Sequence, residues 1–149
     1  MSEKAAGREN KKTARREERK QAFYLLFEQI FQKDDIELII EDAKAARDAE
    51  IGEYTRQLVK GVEETTAELD QYIEANLKGW KKNRISKVSL TILRMAIYEM
   101  LYIESVPVSV SINEAVELAK EYATAADGSF VNGVLGAVAK QLKEKSGEE

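Results

Sequence analysis

Between Ala22 and Leu142 apolar residues recur every three or four positions within successive segments, the spacing of helices that each bury one stripe. The first stripe, Ala22, Phe23, Leu26, Phe27 and Ile30, predicts a helix from Ala14 to about Phe31. Asp34-Asp35 interrupts it and can cap a short acidic helix from Ile36 to about Ala46, with Ile36, Ile39 and Ile40 inward. A longer helix is expected from Ile51, with Tyr54, Leu58, Val59 and Val62 on one face. Thr65-x-x-Glu68 has the form of a capping box, so a break is expected at Thr65, before a segment carrying Leu69, Tyr72, Ile73 and Leu77 and closing at Gly79.

Ser86 opens the most apolar helix, with Val88, Ile92, Leu93, Met95, Ala96 and Met100; Pro107 forbids its continuation. Ser111-Ile112-Asn113-Glu114 has the form of a second capping box, placing Ala115, Val116, Leu118, Ala119 and Tyr122 inward. Asp127-Gly128-Ser129 turns the chain into a last helix from Phe130 to about Leu142. The expectation is an all-α chain of about seven helices in two stacked bundles divided near Gly79-Trp80. Residues 1–12 would form a flexible basic tail, 13–143 the helical domain and 144–149 a frayed end.

Composition narrows the picture. A chain of 149 residues with one proline and eight glycines is poor in the turn residues that joined strands require. No apolar run approaches the roughly 20 residues of a bilayer span, and the polar start lacks a signal-peptide core, so no membrane role and a cytoplasmic location are expected. With no His and no Cys, the usual neutral-pH base, the thiol nucleophile and the commonest zinc ligands are missing. Without a Gly-rich phosphate loop either, the expectation is a non-enzyme needing no cofactor and no metal.

Charge adds a candidate surface. Residues 1–20 hold eight Lys/Arg against four Glu, a net of +4; the whole chain carries −4, so the other 129 residues carry −8. On a helix Arg15 and Arg19 lie four apart, as do Arg16 and Lys20, making a cationic band that Lys11 and Lys12 extend. Four cations in the first turns oppose the helix dipole, and such side chains suit phosphate. On charge alone the band reads equally as the solvated start of a surface helix. Tyr24 lies off the centre of the apolar stripe; an aromatic beside cations can stack a base, although aromatics at helical spacing more often belong to the core.

Arg94, Tyr98 and Glu99 in the most apolar helix read as a structural network, with Glu99 or Glu114 as acceptor for the guanidinium. Gly133, one turn before Ala137, is expected to allow close helix approach. Phe130 reads either as a core staple or as a side chain that stacks a base.

Three ordered motifs carry a resemblance. Arg84-Ile85-x-x-Val88-x-x-x-Ile92-Leu93-Arg94-Met95-Ala96-Ile97-Tyr98-Glu99 is followed by Val106-Pro107-x-x-Val110-x-Ile112-Asn113-Glu114-Ala115-Val116-Glu117-Leu118-Ala119-Lys120 and by Phe130-Val131-Asn132-Gly133-Val134-Leu135. Together with Arg15-Arg16-Glu17 and Gln21-Ala22-Phe23-Tyr24, this series resembles the NusB family of transcription antitermination factors. The resemblance implies a NusB-like fold, pairing with the ribosomal protein NusE, and binding of boxA-like RNA from ribosomal RNA operons within an RNA polymerase antitermination complex. It assigns RNA contact to Lys11, Lys12, Arg15, Arg16, Arg19, Lys20 and Phe130, and partner contact to Tyr24 and Ser89.

Two departures stand out. Many relatives carry an acid where this chain has Ser89, so Ser89→Glu is expected to tighten NusE binding. The loop Ala125-Ala126-Asp127-Gly128-Ser129 also lacks the acid-rich start and the Lys before Phe. Some relatives self-associate through the partner surface, which leaves a homodimer open. The alternatives are a docking module of the same fold without RNA binding, and the RNA-recruiting domain of a ribosomal RNA cytosine methyltransferase.

Overall fold

A computed structural model describes residues 3–47, 50–78 and 84–147, with side chains from Ala14 onward except Arg47. Six helices make up the described secondary structure: α1 (Glu3–Gln32), α2 (Ile36–Arg47), α3 (Glu53–Ala75), α4 (Lys87–Tyr102), α5 (Val108–Tyr122) and α6 (Ala125–Lys145). The chain forms two compact units, residues 1–60 and 61–149, so the division falls inside α3. Gly79 and Trp80, where the sequence pattern places a helix end and the division, lie outside the described residues.

In the first unit α1 starts at Glu3, well before the expected Ala14. Its added turns are rich in Ala, Lys, Arg and Glu, and extending an existing helix avoids a second nucleation cost. Lys33, at φ 58°, takes the left-handed conformation just beyond α1. The Asp35 carboxylate accepts the Glu37 amide at 2.8 Å, so the acidic pair does cap α2. Leu25, Ile39, Ile40, Leu58 and Val59 are fully or almost fully buried and form the centre of this unit.

In the second unit Thr65 leaves helical geometry, at φ −119° and ψ 15°, while α3 continues past it as one kinked helix. Its hydroxyl donates back to the Gly61 carbonyl at 2.7 Å, so the motif at Thr65 bends a helix instead of starting one. Ser86 caps α4 as expected, accepting the Ser89 amide at 3.0 Å. Ile92, Leu93 and Ile97 of α4 and Leu135 of α6 are fully buried, as are Ile73 of α3 and Ala119 of α5.

Three expectations are corrected here. The helix α5 begins right after Pro107, one turn before the expected capping box; proline's fixed φ suits a helix start. Ser111 is therefore inside α5, and its buried hydroxyl donates to Glu99 at 2.9 Å. The helix α6 begins at Ala125, not Phe130, because Thr124 accepts the Asp127 amide at 3.1 Å. Arg94 pairs with neither Glu99 nor Glu114. Its guanidinium donates two bonds, at 2.8 and 2.9 Å, to the Asp70 carboxylate in α3.

Candidate nucleic-acid interface

The rotation of α1 about its axis separates the predicted cations. Its inward side carries Arg15, Glu18, Arg19 and Ala22, at the spacing of one helical face. The Arg15 guanidinium carbon lies 3.8 Å from the centre of the Tyr54 ring, and that of Arg19 at 5.9 Å. Arg19 is only 6% exposed. Between them Glu18 accepts the Tyr54 amide at 3.1 Å with its carboxylate and the Thr55 hydroxyl at 2.9 Å with its carbonyl. That carboxylate sits at the first turn of α3, where the helix dipole favours an anion. Gln21 donates to the Glu50 carbonyl at 3.0 Å and accepts the Gly52 amide at 3.2 Å. A Cβ at Gly52 would fall 1.9 Å from the Glu18 carboxylate, so a side chain there would displace that carboxylate from the Tyr54 amide.

The outward side carries Arg16, Lys20 and Tyr24, again at intervals of four. Arg16 is exposed, Lys20 is half-buried and Tyr24 is 47% exposed. Phe27 and Phe31 continue the stripe by one and two turns, with rings meeting edge to face at 5.0 Å between centres. Phe31 is 58% exposed. The single band expected from sequence thus divides. Arg15 and Arg19 hold Tyr54 and the start of α3, whereas Arg16 and Lys20 face outward next to an aromatic run. Lys11 and Lys12 lie on α1 by backbone, and their side chains fall outside the described residues.

The second unit places the remaining candidates. Phe130, in the second turn of α6, is half-buried. It lines an open groove of about 610 Å³ together with Asn76, Leu77, Lys78, Ala126, Ser129, Gly133 and Val134. It is therefore neither a fully buried staple nor a free surface ring. Gly133 is exposed, and a Cβ there would meet nothing within 4 Å, so close helix approach does not explain it. Its bare surface widens the groove instead. Ser89 is fully buried. Its hydroxyl donates to the Asp127 carboxylate at 3.2 Å, and the other oxygen of that carboxylate accepts the Thr124 hydroxyl at 2.6 Å. Ser89, expected from sequence to meet a partner, here ties the start of α4 to the start of α6.

Sequence reasoning placed Tyr54 inward, as found, but missed its contact with the two arginines and missed Phe27 and Phe31 as parts of this surface. The spacing of Phe27 and Phe31 from Tyr24 was the available signal. Nothing local marks Tyr54 as the ring that two arginines share. Among the described residues no group of acidic side chains could hold a metal ion, and no helix is long and apolar enough to cross a membrane.

An all-helical chain with cations and aromatics aligned along its first helix has the makings of a polyanion-binding adaptor. Residues 16–140 match the NusB family. Transcription antitermination protein NusB of Acetivibrio thermocellus is 46% identical over 138 residues, covering 91% of this chain and 95% of that protein. The Clostridium novyi protein of the same name is 41% identical over 130 residues, covering 85% and 98%. Among solved structures, T. maritima NusB aligns with a TM-score of 0.73 at 36% identity, over 85% of this chain and 90% of that one. A chain from the crystal structure of antitermination factors NusB and NusE in complex with dsRNA aligns with a TM-score of 0.76 at 26% identity, over 85% and 96%. The chain belongs to the NusB family.

Proposed function

We propose that the protein is a transcription antitermination factor that pairs with NusE, binds boxA-like RNA and acts with RNA polymerase on ribosomal RNA operons. It works in the cytoplasm by recognition, without catalysis and without a cofactor. The observation that carries this reading is the outward stripe of α1, where exposed Arg16 and half-buried Lys20 run into exposed Tyr24 and Phe31. Cations at successive turns follow a phosphate backbone, and each contact releases counterions. The aromatic continuation offers NusE an apolar anchor on the same helix. In the second unit Phe130 adds a ring to the lining of a groove of about 610 Å³, and such a ring can stack a base. The resemblance of the chain to a NusB found with NusE and RNA supports the same partners.

The test is titration of boxA-like RNA at several salt concentrations. Arg16→Ala with Lys20→Ala is expected to weaken binding and lower the salt slope by about two units, one per lost phosphate contact. Phe31→Ser is expected to reduce NusE capture while leaving binding of RNA alone unchanged. Full RNA affinity in a folded Arg16/Lys20 double variant would defeat the RNA assignment and favour a docking module of the same fold.

A further inference from the structure

A second surface, in residues 61–149, has a different chemistry. On either side of the kink at Thr65, α3 presents Glu64, Glu68 and Tyr72 at intervals of four, and α4 presents Tyr98 and Tyr102. The Tyr98 and Tyr102 rings lie 5.1 Å apart and tilted at 32°. Tyr102 donates its hydroxyl proton to Glu68, which joins the two helices across this face. Tyr98 reaches its position because Gly61 is bare: a Cβ there would fall 2.0 Å from the ring. Burial, and secondarily the charge of Glu64, raises the Tyr98 phenol above its ordinary value. Tyr102 remains 48% exposed, and Glu64 and Glu68 are also exposed.

The face already accepts one cation of its own chain. Lys145 places its ammonium 5.7 Å from the centre of the Tyr72 ring and 3.5 Å from the Tyr72 hydroxyl. Ring faces beside carboxylates make a surface that attracts ammonium and guanidinium groups and repels phosphate. Spacing narrows the occupant further. Glu68 and Tyr72, like Tyr98 and Tyr102, are separated by four residues, about 6 Å along a helix axis. Alternate residues of an extended peptide are about 6.8 Å apart. An extended strand with a cation at every second position can therefore meet one anion or ring per helical turn.

We propose that the Tyr98–Tyr102 and Glu64–Glu68 face docks an extended, arginine- or lysine-rich segment of a protein partner. This face is separate in chemistry from the cationic stripe of α1, so it does not depend on RNA binding. It would let the protein hold a basic polypeptide while its own cations hold RNA.

The experiment uses the full chain and a labelled Arg-Ser-Arg-Ser-Arg-Ser peptide at low salt, read by anisotropy and by NMR shifts. Saturable binding that perturbs Tyr98 and Tyr102 is expected. Glu64→Gln with Glu68→Gln should weaken it about three- to tenfold, and Tyr102→Leu about two- to fivefold. Tyr102→Phe, which keeps the ring, should stay close to wild type. RNA affinity should be unchanged in all three, which separates this proposal from the RNA assignment. Circular dichroism confirms that each variant is folded. Equal affinity in the Glu64/Glu68 variant, equal binding of a Gly-Ser peptide, or a self-association of the chain that the peptide cannot displace would each overturn the proposal.

Discussion

Replacing Arg94 with Met tests the central polar contact of the second unit. The guanidinium makes two bonds to Asp70, at 2.8 and 2.9 Å, and the two side chains are only 19% and 13% exposed. Met keeps most of the stem and packs against the same neighbours, so the change removes charge more than volume. A hydrogen bond to a charged group contributes about 1.5–3 kcal/mol, and removing one partner of a fully buried ion pair costs about 3–5 kcal/mol. Residual solvent at this pair lowers the second figure, which gives about 2–3 kcal/mol for Arg94→Met. For a chain of this size that corresponds to a fall of roughly 5–10 °C in Tm. The assay is thermal and urea unfolding followed by circular dichroism, with Asp70→Leu and the Asp70→Leu/Arg94→Met double variant alongside. The double variant should recover much of the loss, because no charge is left stranded. A cost below about 0.5 kcal/mol for Arg94→Met, or a double variant that simply adds the two single costs, would refute the reasoning.

Three further outcomes follow from particular contacts. Ser89→Glu, expected from sequence to tighten NusE binding, should instead destabilise by about 3–5 kcal/mol, since it forces a carboxylate into a fully buried site facing Asp127; a stable variant with stronger NusE capture in pull-down would reject this. Gly133→Leu should be neutral or raise stability by up to about 1 kcal/mol, because the position is open and glycine is a poor helix former; a lowered Tm would show a hidden contact. Burial, and secondarily Glu64, raises the Tyr98 phenol above its ordinary 10.0, so the protonated phenol is favoured in the fold. That contribution is present in full below pH 10.0 and is lost as pH rises through the raised value. Tyr98→Phe should therefore flatten the alkaline fall of Tm, and an unchanged alkaline limb would count against it.

The helices were legible in the sequence because each is written in neighbouring residues. The stripes of Ala22 to Leu26 and Ile36 to Ile40, the caps at Asp35 and Ser86, and the stop at Pro107 are all local signals. Family membership was legible for a related reason, since its motifs keep a fixed order along the chain. Helix starts were less secure where two local signals competed: Pro107 against the Ser111 box for α5, and the Thr124 cap against the Asp127-Gly128-Ser129 turn for α6, and the earlier signal prevailed at both. The site depended on more distant information. Whether Arg19 or Arg16 faces outward follows from how α1 is rotated against Tyr54 and Thr55, more than thirty residues away. Asp70 became the partner of Arg94, and Asp127 the partner of Ser89, across separations of 24 and 38 residues. Periodicity fixes which residues share a face of a helix; only packing against the other helices decides which face is buried and which remains to meet RNA or a protein.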